Sequence, residues 1–558
     1  MTKKILFRNY AVLAVFLTAV ICMLGFSEKN VYAHSIGMNS SYYSMSFYGG
    51  TLFFKDGVVA GASAGTTGDY GSGTVSGAVV IPSTINGQKV TAIGKNAFAS
   101  CLAVTSVTIP EGVTVIEEGA FATATHMTSI TIPSTLTTMG DSVFSGCKAL
   151  TSIELPDSLT SLGTQVFNDC SALKTAVIKG NITTLSDGTF MSCTALTSVT
   201  LPQKIKTLGS QAFYKFSGLT SITLPSAVTT IKNNCFESCS KLTSIDLTNI
   251  TSMEKEAFKS CVKLASFTLG TGLTTIPASC FTGCTSLTSI DLKSVKSVGN
   301  SAFNGCTALK TVNIPASTTV LGTNVFYKCS SITEINVDSA NTVYASYDGA
   351  LYDKSFDTLY TFPSARSESV TLASGIHTIA ANAFYNAKNL EEITIPGTIT
   401  TIQSSAFTGC TQLKKIYIGK NTSRNTSIES YAFYGIGGFS AIDIYIPETV
   451  TLVEPIILGN SDVRVHTVSG STATDTKYYE VYEDYGNVYI YTDYTSAQTE
   501  VTYAQGDVDK NGTVDKKDCA YILKYINGRT VFDSEQKKLA DCNSDGNINL
   551  IDAIYTVK

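Results

Sequence analysis

A phenylalanine returns at a near-constant interval along this chain, at Phe98, Phe121, Phe144, Phe167, Phe190, Phe213, Phe236, Phe258, Phe281, Phe303 and Phe326. The series then breaks off and resumes at Phe384, Phe407 and Phe433. Self-similarity at a fixed period of roughly 20 to 50 residues is the signature of stacked structural repeats. It overrides the three or four globular domains that 558 residues would otherwise suggest.

Each unit approximates AFxxCxxLTSITIPxxLTTIGxx, as in AFNGCTALKTVNIP from Ala302 to Pro315. Counted from the Phe, Cys usually stands at +3, Leu at +6, Ile or Val at +9, Ile or Leu at +11 and often Pro at +12. In Leu150, Ile153 and Leu155 the last two residues flank polar Glu154, the alternation of a short strand, and Pro156 ends it. One such strand cannot bury its apolar face alone. Stacked copies can, because neighbouring strands pair edge to edge and each column of like side chains becomes a buried seam. The expected fold is therefore a β-rich solenoid of about fourteen 22–23-residue repeats.

These units resemble the BspA-like leucine-rich repeats of bacterial surface proteins over roughly residues 80 to 455, and the resemblance implies a curved solenoid spanning residues 82–461. The gap between Phe326 and Phe384 contains Tyr-rich alternating segments around DG and KSFD turns, which predicts a hairpin insertion at about residues 336–372. Residues 34–81 are Gly- and Ser-rich with β-prone pieces such as TLFF, the expected N-terminal cap over the first rung. Residues 462–505, with YYEVYEDYGNVYIYTDY, serve as a cap or linker. Residues 1–33 order Lys3, Lys4 and Arg8 before an apolar run from Tyr10 to Phe26 and then Val31-Tyr32-Ala33, which reads as a secretory signal cleaved before His34. The expected product has no membrane span and is extracellular.

Composition narrows function mostly by exclusion. With 39 Lys plus Arg against 44 Asp plus Glu, the net charge is −5 and no basic cluster offers itself to phosphates, so nucleic acid is not an expected partner. The four His are far apart, suggesting neither a zinc site nor a His-based acid/base centre. No paired carboxylates at suggestive spacing or Gly-flanked nucleophile points to catalysis, so no catalytic residue is assigned.

Ten of the 15 Cys stand at that +3 position: Cys101, Cys147, Cys170, Cys193, Cys239, Cys261, Cys284, Cys306, Cys329 and Cys410. The same position holds Ala124, Phe216, Ala387 and Ile436 in other repeats, so it asks for a buried apolar group and the thiols are expected free. At +10 stand Thr108, Thr131, Glu154, Val177, Thr200, Thr223, Asp246, Thr268, Asp291, Asn313, Asn336, Thr394, Tyr417 and Asp443, which with the Ser column at +8 should form a hydroxyl-rich outward face.

The tail carries the sharpest chemical signal. Oxygen-bearing Asp507, Asp509, Asn511, Asp515 and Asp518 occupy loop positions one, three, five, nine and twelve, with Gly512 at six. The pattern returns further on as Asp541, Asn543, Asp545, Asn549 and Asp552, with Gly546 at six. This is the EF-hand spacing, in which position seven, here Thr513 and Asn547, lends its backbone carbonyl to Ca²⁺. Two loops predict two ions.

Position twelve is Asp and not Glu, and no helix-like segment leads directly into the first loop. With the tandem duplication, these features make residues 506–558 resemble a type I dockerin, which implies binding to the cohesin module of a scaffoldin in a cellulosome-type assembly. In that family loop positions ten and eleven contribute to cohesin choice. Here they are Lys516 and Lys517 in one copy and Leu550 and Ile551 in the other, so one binding orientation is expected. The whole reads as a non-catalytic secreted protein whose solenoid recognises polysaccharide, a cell surface or another protein. The rivals are an enzyme with an unrecognised site and a passive spacer.

Overall fold

The computed structural model describes residues 33–38, 43–47, 50–63, 75–366, 370, 372–419 and 426–437, the strands between 442 and 491, and in the tail 508, 514, 516–526, 532, 534–542 and 547–548. They fall into two compact units. The first comprises Met1–Glu368, Leu372–Ile376 and Asn382–Asn389, and the second Ser369–Thr371, His377–Ala381 and Leu390–Lys558. The N-terminal residues read as a secretory signal lie outside the described residues, apart from Ala33.

The first unit is a β-solenoid. In each rung a short strand such as Ser152–Leu155 buries alternate residues, Ile153 and Leu155, and a second two-residue strand such as Ser161–Leu162 follows the Pro turn. Both pair in parallel with their counterparts on the neighbouring repeat: Ile153 lies opposite Ala176 and Leu155 opposite Ile178, and Thr138 lies opposite Ser161. The sequence period thus becomes the strand register. A one-residue slip would turn every buried Ile and Leu outward.

The landmark Phe rings form the spine. From Phe98 to Phe326 each ring stacks on the next, with centroids 5.0 to 6.1 Å apart and planes within 17°. The chain around each ring bends through two left-handed residues, two before and two after the Phe, as at Asn96 and Ser100 around Phe98. Those bends turn alternate amides along the stack: Asn96, Phe98 and Ser100 donate to the carbonyls of Glu118, Ala120 and Ala122 on the next rung. This side of the rung is thereby hydrogen-bonded to its neighbour without being a strand.

Two places depart from the repeat. Where Phe216 replaces the usual Cys, its ring lies 5.8 Å from Phe213, and the following Ile222 and Leu224 are only half-buried and form no strand. In the gap after Phe326, strands Tyr344–Tyr347 and Ala350–Asp353 pair antiparallel across Asp348 and Gly349, both left-handed, and Thr358–Thr361 adds a third strand. The next residue, Phe362, precedes Phe384 by one repeat length, stacks on it at 4.8 Å and donates its N–H to the Ala383 carbonyl. This is the bond that Phe98 makes to Ala120, so the ruler resumes inside the gap, one turn earlier than the landmark count indicates.

At its N-terminal end the first unit carries a meander, Ala33–Met38, Tyr43–Phe47, Gly50–Lys55 and Val58–Ser63, whose last strand pairs in parallel with Ala92–Ile93 of the first rung. The open sheet edge is covered in this way. In the second unit, rungs follow the same rules: Ile393 lies opposite Ile416, Phe407 stacks on Phe433 at 4.9 Å, and strand Ile442–Pro447 pairs with Val463–Val468. Two helices occur among the described residues of the tail, α1 (Lys516–Ile526) and α2 (Ser534–Ala540).

Candidate functional site: the calcium-loop tail and the outward face

The tail builds on a small core of Val508, Ile522, Phe532 and Ala540, with Tyr525 stacked on Phe532 at 4.5 Å. α1 begins at Lys516, which is loop position ten, so positions ten to twelve of the first loop are the helix's first turn. That places Asp518 at the junction of loop and helix. Its carboxylate is fully buried, and Oδ1 accepts the Val508 N–H at 2.7 Å, closing the loop from position twelve back to position two. The Gln536 side chain donates to the Val508 carbonyl at 3.3 Å, tying α2 to the same loop. α2 ends at Ala540, and the Asp541 amide donates to the Lys537 carbonyl, so the second loop opens directly from this helix.

An aspartate withdrawn from water is uncommon unless its charge is compensated. A buried carboxylate at position twelve, oriented by a backbone N–H, is the donor that a hard, oxygen-seeking cation needs, and the residues present fit Ca²⁺. Among the described residues no three metal-ligating His, Cys, Asp or Glu side chains come together. Of the sequence-predicted ligands the described residues include Asp518, Asp541 and Asn547, the last exposed. Asp507, Asp509, Asn511, Thr513, Asp515, Asn543, Asp545, Asn549 and Asp552 lie outside them, as do Leu550 and Ile551. Lys516 and Lys517 sit in the first turn of α1, and Lys517 is exposed.

The outward strand face is as exposed as the alternation requires. Thr108, Thr131, Glu154, Thr200, Thr223, Asp246, Asp291, Asn313, Asn336 and Thr394 are exposed, as is Thr268, while Val177 and Tyr417 are half-buried. The side chain of Asp443 is outside the described residues. What sequence spacing did not distinguish is which hydroxyls are spent. The Thr128 hydroxyl donates to the Thr105 carbonyl at 3.0 Å and that of Thr137 to the Thr114 carbonyl at 3.0 Å, so these columns stitch rung to rung. Ser129, Thr131, Ser198 and Thr200 make no hydroxyl bond among the described residues, and their groups face solvent.

The thiols gained a role that no spacing argument supplied. Those of Cys147, Cys170, Cys193, Cys239, Cys261, Cys284, Cys306 and Cys329 donate to the carbonyl of the preceding rung's Phe at 3.0 to 3.3 Å. Cys235 and Cys280, each immediately before a landmark Phe, are also buried. All cysteines among the described residues are free thiols. Of these only Cys519 and Cys542, both against the tail core, are partly exposed.

Comparison with known families agrees with this geometry. The BspA type leucine rich repeat region matches in six copies over overlapping stretches between residues 91 and 474, and the dockerin type I domain matches residues 505–555. The chain belongs to the BspA-type leucine-rich repeat family and ends in a type I dockerin.

Among solved structures, a leucine-rich repeat protein from Bacteroides ovatus ATCC 8483 is 24% identical, with 76% of this chain and 95% of that chain covered and a TM-score of 0.49. A leucine rich cell surface protein from Faecalibacterium prausnitzii A2-165 is 24% identical, covering 55% and 96%, with a TM-score of 0.32. The T. pallidum leucine rich repeat protein is 26% identical, covering 39% and 79%, with a TM-score of 0.24. No curated protein matches the chain. Both matched families are non-catalytic binding domains. Among the described residues no helix is long and apolar enough to cross a membrane.

Proposed function

We propose that this is a secreted, non-catalytic binding protein, held on an extracellular scaffold by calcium-dependent docking of its tail into a cohesin module, with the repeat solenoid recognising polysaccharide, a cell surface or another protein. The single observation that supports this most is the buried Asp518 carboxylate at position twelve of the first loop, turned toward the Val508 amide. Two Ca²⁺ ions, one per loop, hold the tail together when bound. Asp507, Asp509, Asn511, Asp515 and Asp518 supply side-chain oxygens to one, and Asp541, Asn543, Asp545, Asn549 and Asp552 to the other. Carbonyls of Thr513 and Asn547 complete each set. So small a module has too little core to be secure alone, and liganding energy serves as folding energy.

Lys516, Lys517, Leu550 and Ile551 are the expected cohesin contacts, and the charge difference between the two pairs favours one docking orientation. A cohesin-array binding assay with and without calcium tests the proposal. Binding that survives excess chelator would reject it.

A further inference from the structure

Two residues before each landmark Phe the backbone turns left-handed, and the column is filled by residues such as Asn96, Ser142, Asn234, Ser301 and Asn382. Tyr431 is its one aromatic among the landmark rungs, at φ 58°. A bulky L side chain in that region costs on the order of 1 kcal/mol or more. Burial does not offset the cost, since Tyr431 is 48% exposed. Three residues on, Tyr434 is 41% exposed, and its ring stands edge-on to that of Tyr431 at 5.9 Å and 75°.

The preceding rung of the same unit sets Ser405 and Thr408 in the corresponding positions, through the Phe407 N–H bond to Ala432 and the Gly409 N–H bond to Tyr434. The two bends, Ser404 to Gly409 and Ser430 to Gly435, contain no charged residue. By contrast, the bend around Phe258 holds Glu256 and Lys259 in an ion pair.

We propose that Tyr431 and Tyr434 form a stacking site for a neutral glycan chain. The C–H face of a sugar ring lies against an exposed tyrosine face, while Ser405 and the Tyr431 hydroxyl bond its hydroxyls; the Thr408 hydroxyl donates to the Tyr431 carbonyl at 3.5 Å and helps hold that bend. Neither bend offers a cation to an anionic ligand, and the adjacent Glu429 carboxylate is engaged by the Ser404 N–H at 2.9 Å. A protein partner requires a patch of about 800 Å² per side, far more than two half-exposed rings present, whereas one or two sugar units match them. Backbone strain is thus placed where a ligand can use it. The inference rests on reading the solenoid as the ligand-recognising part of the chain.

The test is affinity electrophoresis of the full chain through gels containing hydroxyethylcellulose, mixed-linkage β-glucan, xylan or galactomannan. Tyrosine emission during titration with the retarding polymer serves as a second readout, because the chain has no Trp. At least one polymer should retard the protein. The double variant Tyr431→Gly with Tyr434→Ser should bind that polymer at least tenfold more weakly with unchanged thermal unfolding, because Gly is at ease in a left-handed bend. Tyr434→Phe, which keeps the ring, should stay within about twofold.

Equal retardation of wild type and double variant would overturn this site while leaving polysaccharide recognition elsewhere on the solenoid intact. Retardation by none of the polymers would overturn the site together with the polysaccharide arm of the proposed function. Loss of a purified protein partner by the double variant, with glycan binding unchanged, would overturn the glycan assignment.

Discussion

The thiol of Cys147 donates to the carbonyl of Phe121, 3.1 Å away and on the preceding rung. The bond recurs from rung to rung, so the cysteine column fills space and also engages the carbonyl of the stacked Phe beside it. Free thiols are weak donors, yet a small polarisable side chain that packs like a hydrophobe and still caps a buried acceptor suits the site better than Ala or Val.

Native thiol reactivity should follow burial. With Cys22 set aside, titration of the folded, unreduced protein should read no more than the two partly exposed thiols, Cys519 and Cys542, and unfolding should expose all fourteen. Fewer than about ten thiols in the unfolded, unreduced protein would mean that disulfides cross the rungs.

Alkaline pH should destabilise the first unit steeply. Burial pushes the thiols of Cys147 and Cys193 up to about 12, and those of Cys170, Cys239, Cys284 and Cys306 are also held well above the usual value. The folded chain therefore keeps protons that the unfolded chain releases above a thiol pKa of about 8.5. Stability is unaffected below that pH and falls as pH rises through it, by up to about 1.4 kcal/mol per unit for each such thiol. Denaturant midpoints between pH 7 and 10 measure the slope, and a flat profile would count against the buried column.

The Tyr-rich insertion hangs on Asn341. Its buried amide donates to the Pro315 and Thr318 carbonyls, both at 2.8 Å, and its oxygen accepts from the Val343 and Tyr344 amides at 2.9 and 2.8 Å. Asn341→Ala leaves several buried backbone groups unpaired and should cost about 2 to 4 kcal/mol. Limited proteolysis should then cut between residues 343 and 360 before the rungs on either side.

Chelation should melt α1 and α2 while the strand signal of the solenoid persists. Asp518→Asn keeps an acceptor for the Val508 amide but removes the charge, so it should weaken calcium binding and cohesin binding together. Circular dichroism at 222 nm during a calcium titration reads the helices. Helix content indifferent to calcium would remove the basis for the docking tail.

Sequence by itself determined the repeat, the apolar alternation of Ile153 and Leu155, and the oxygen pattern from Asp507 to Asp518, because each is a periodicity written in consecutive residues. Side-chain period and strand register are one quantity here, so counting along the chain located the buried seams without coordinates. Tertiary structure alone decided what depends on neighbours far apart in number. It brought the Phe362 ring onto Phe384, gave the Cys147 thiol its Phe121 acceptor, separated bonded Thr128 from unbonded Ser129, and half-exposed Tyr431 beside Tyr434. A hydrogen bond or ring contact is set by distance between rungs, and two side chains with the same period differ only in which carbonyl or ring the stacked chain places within reach.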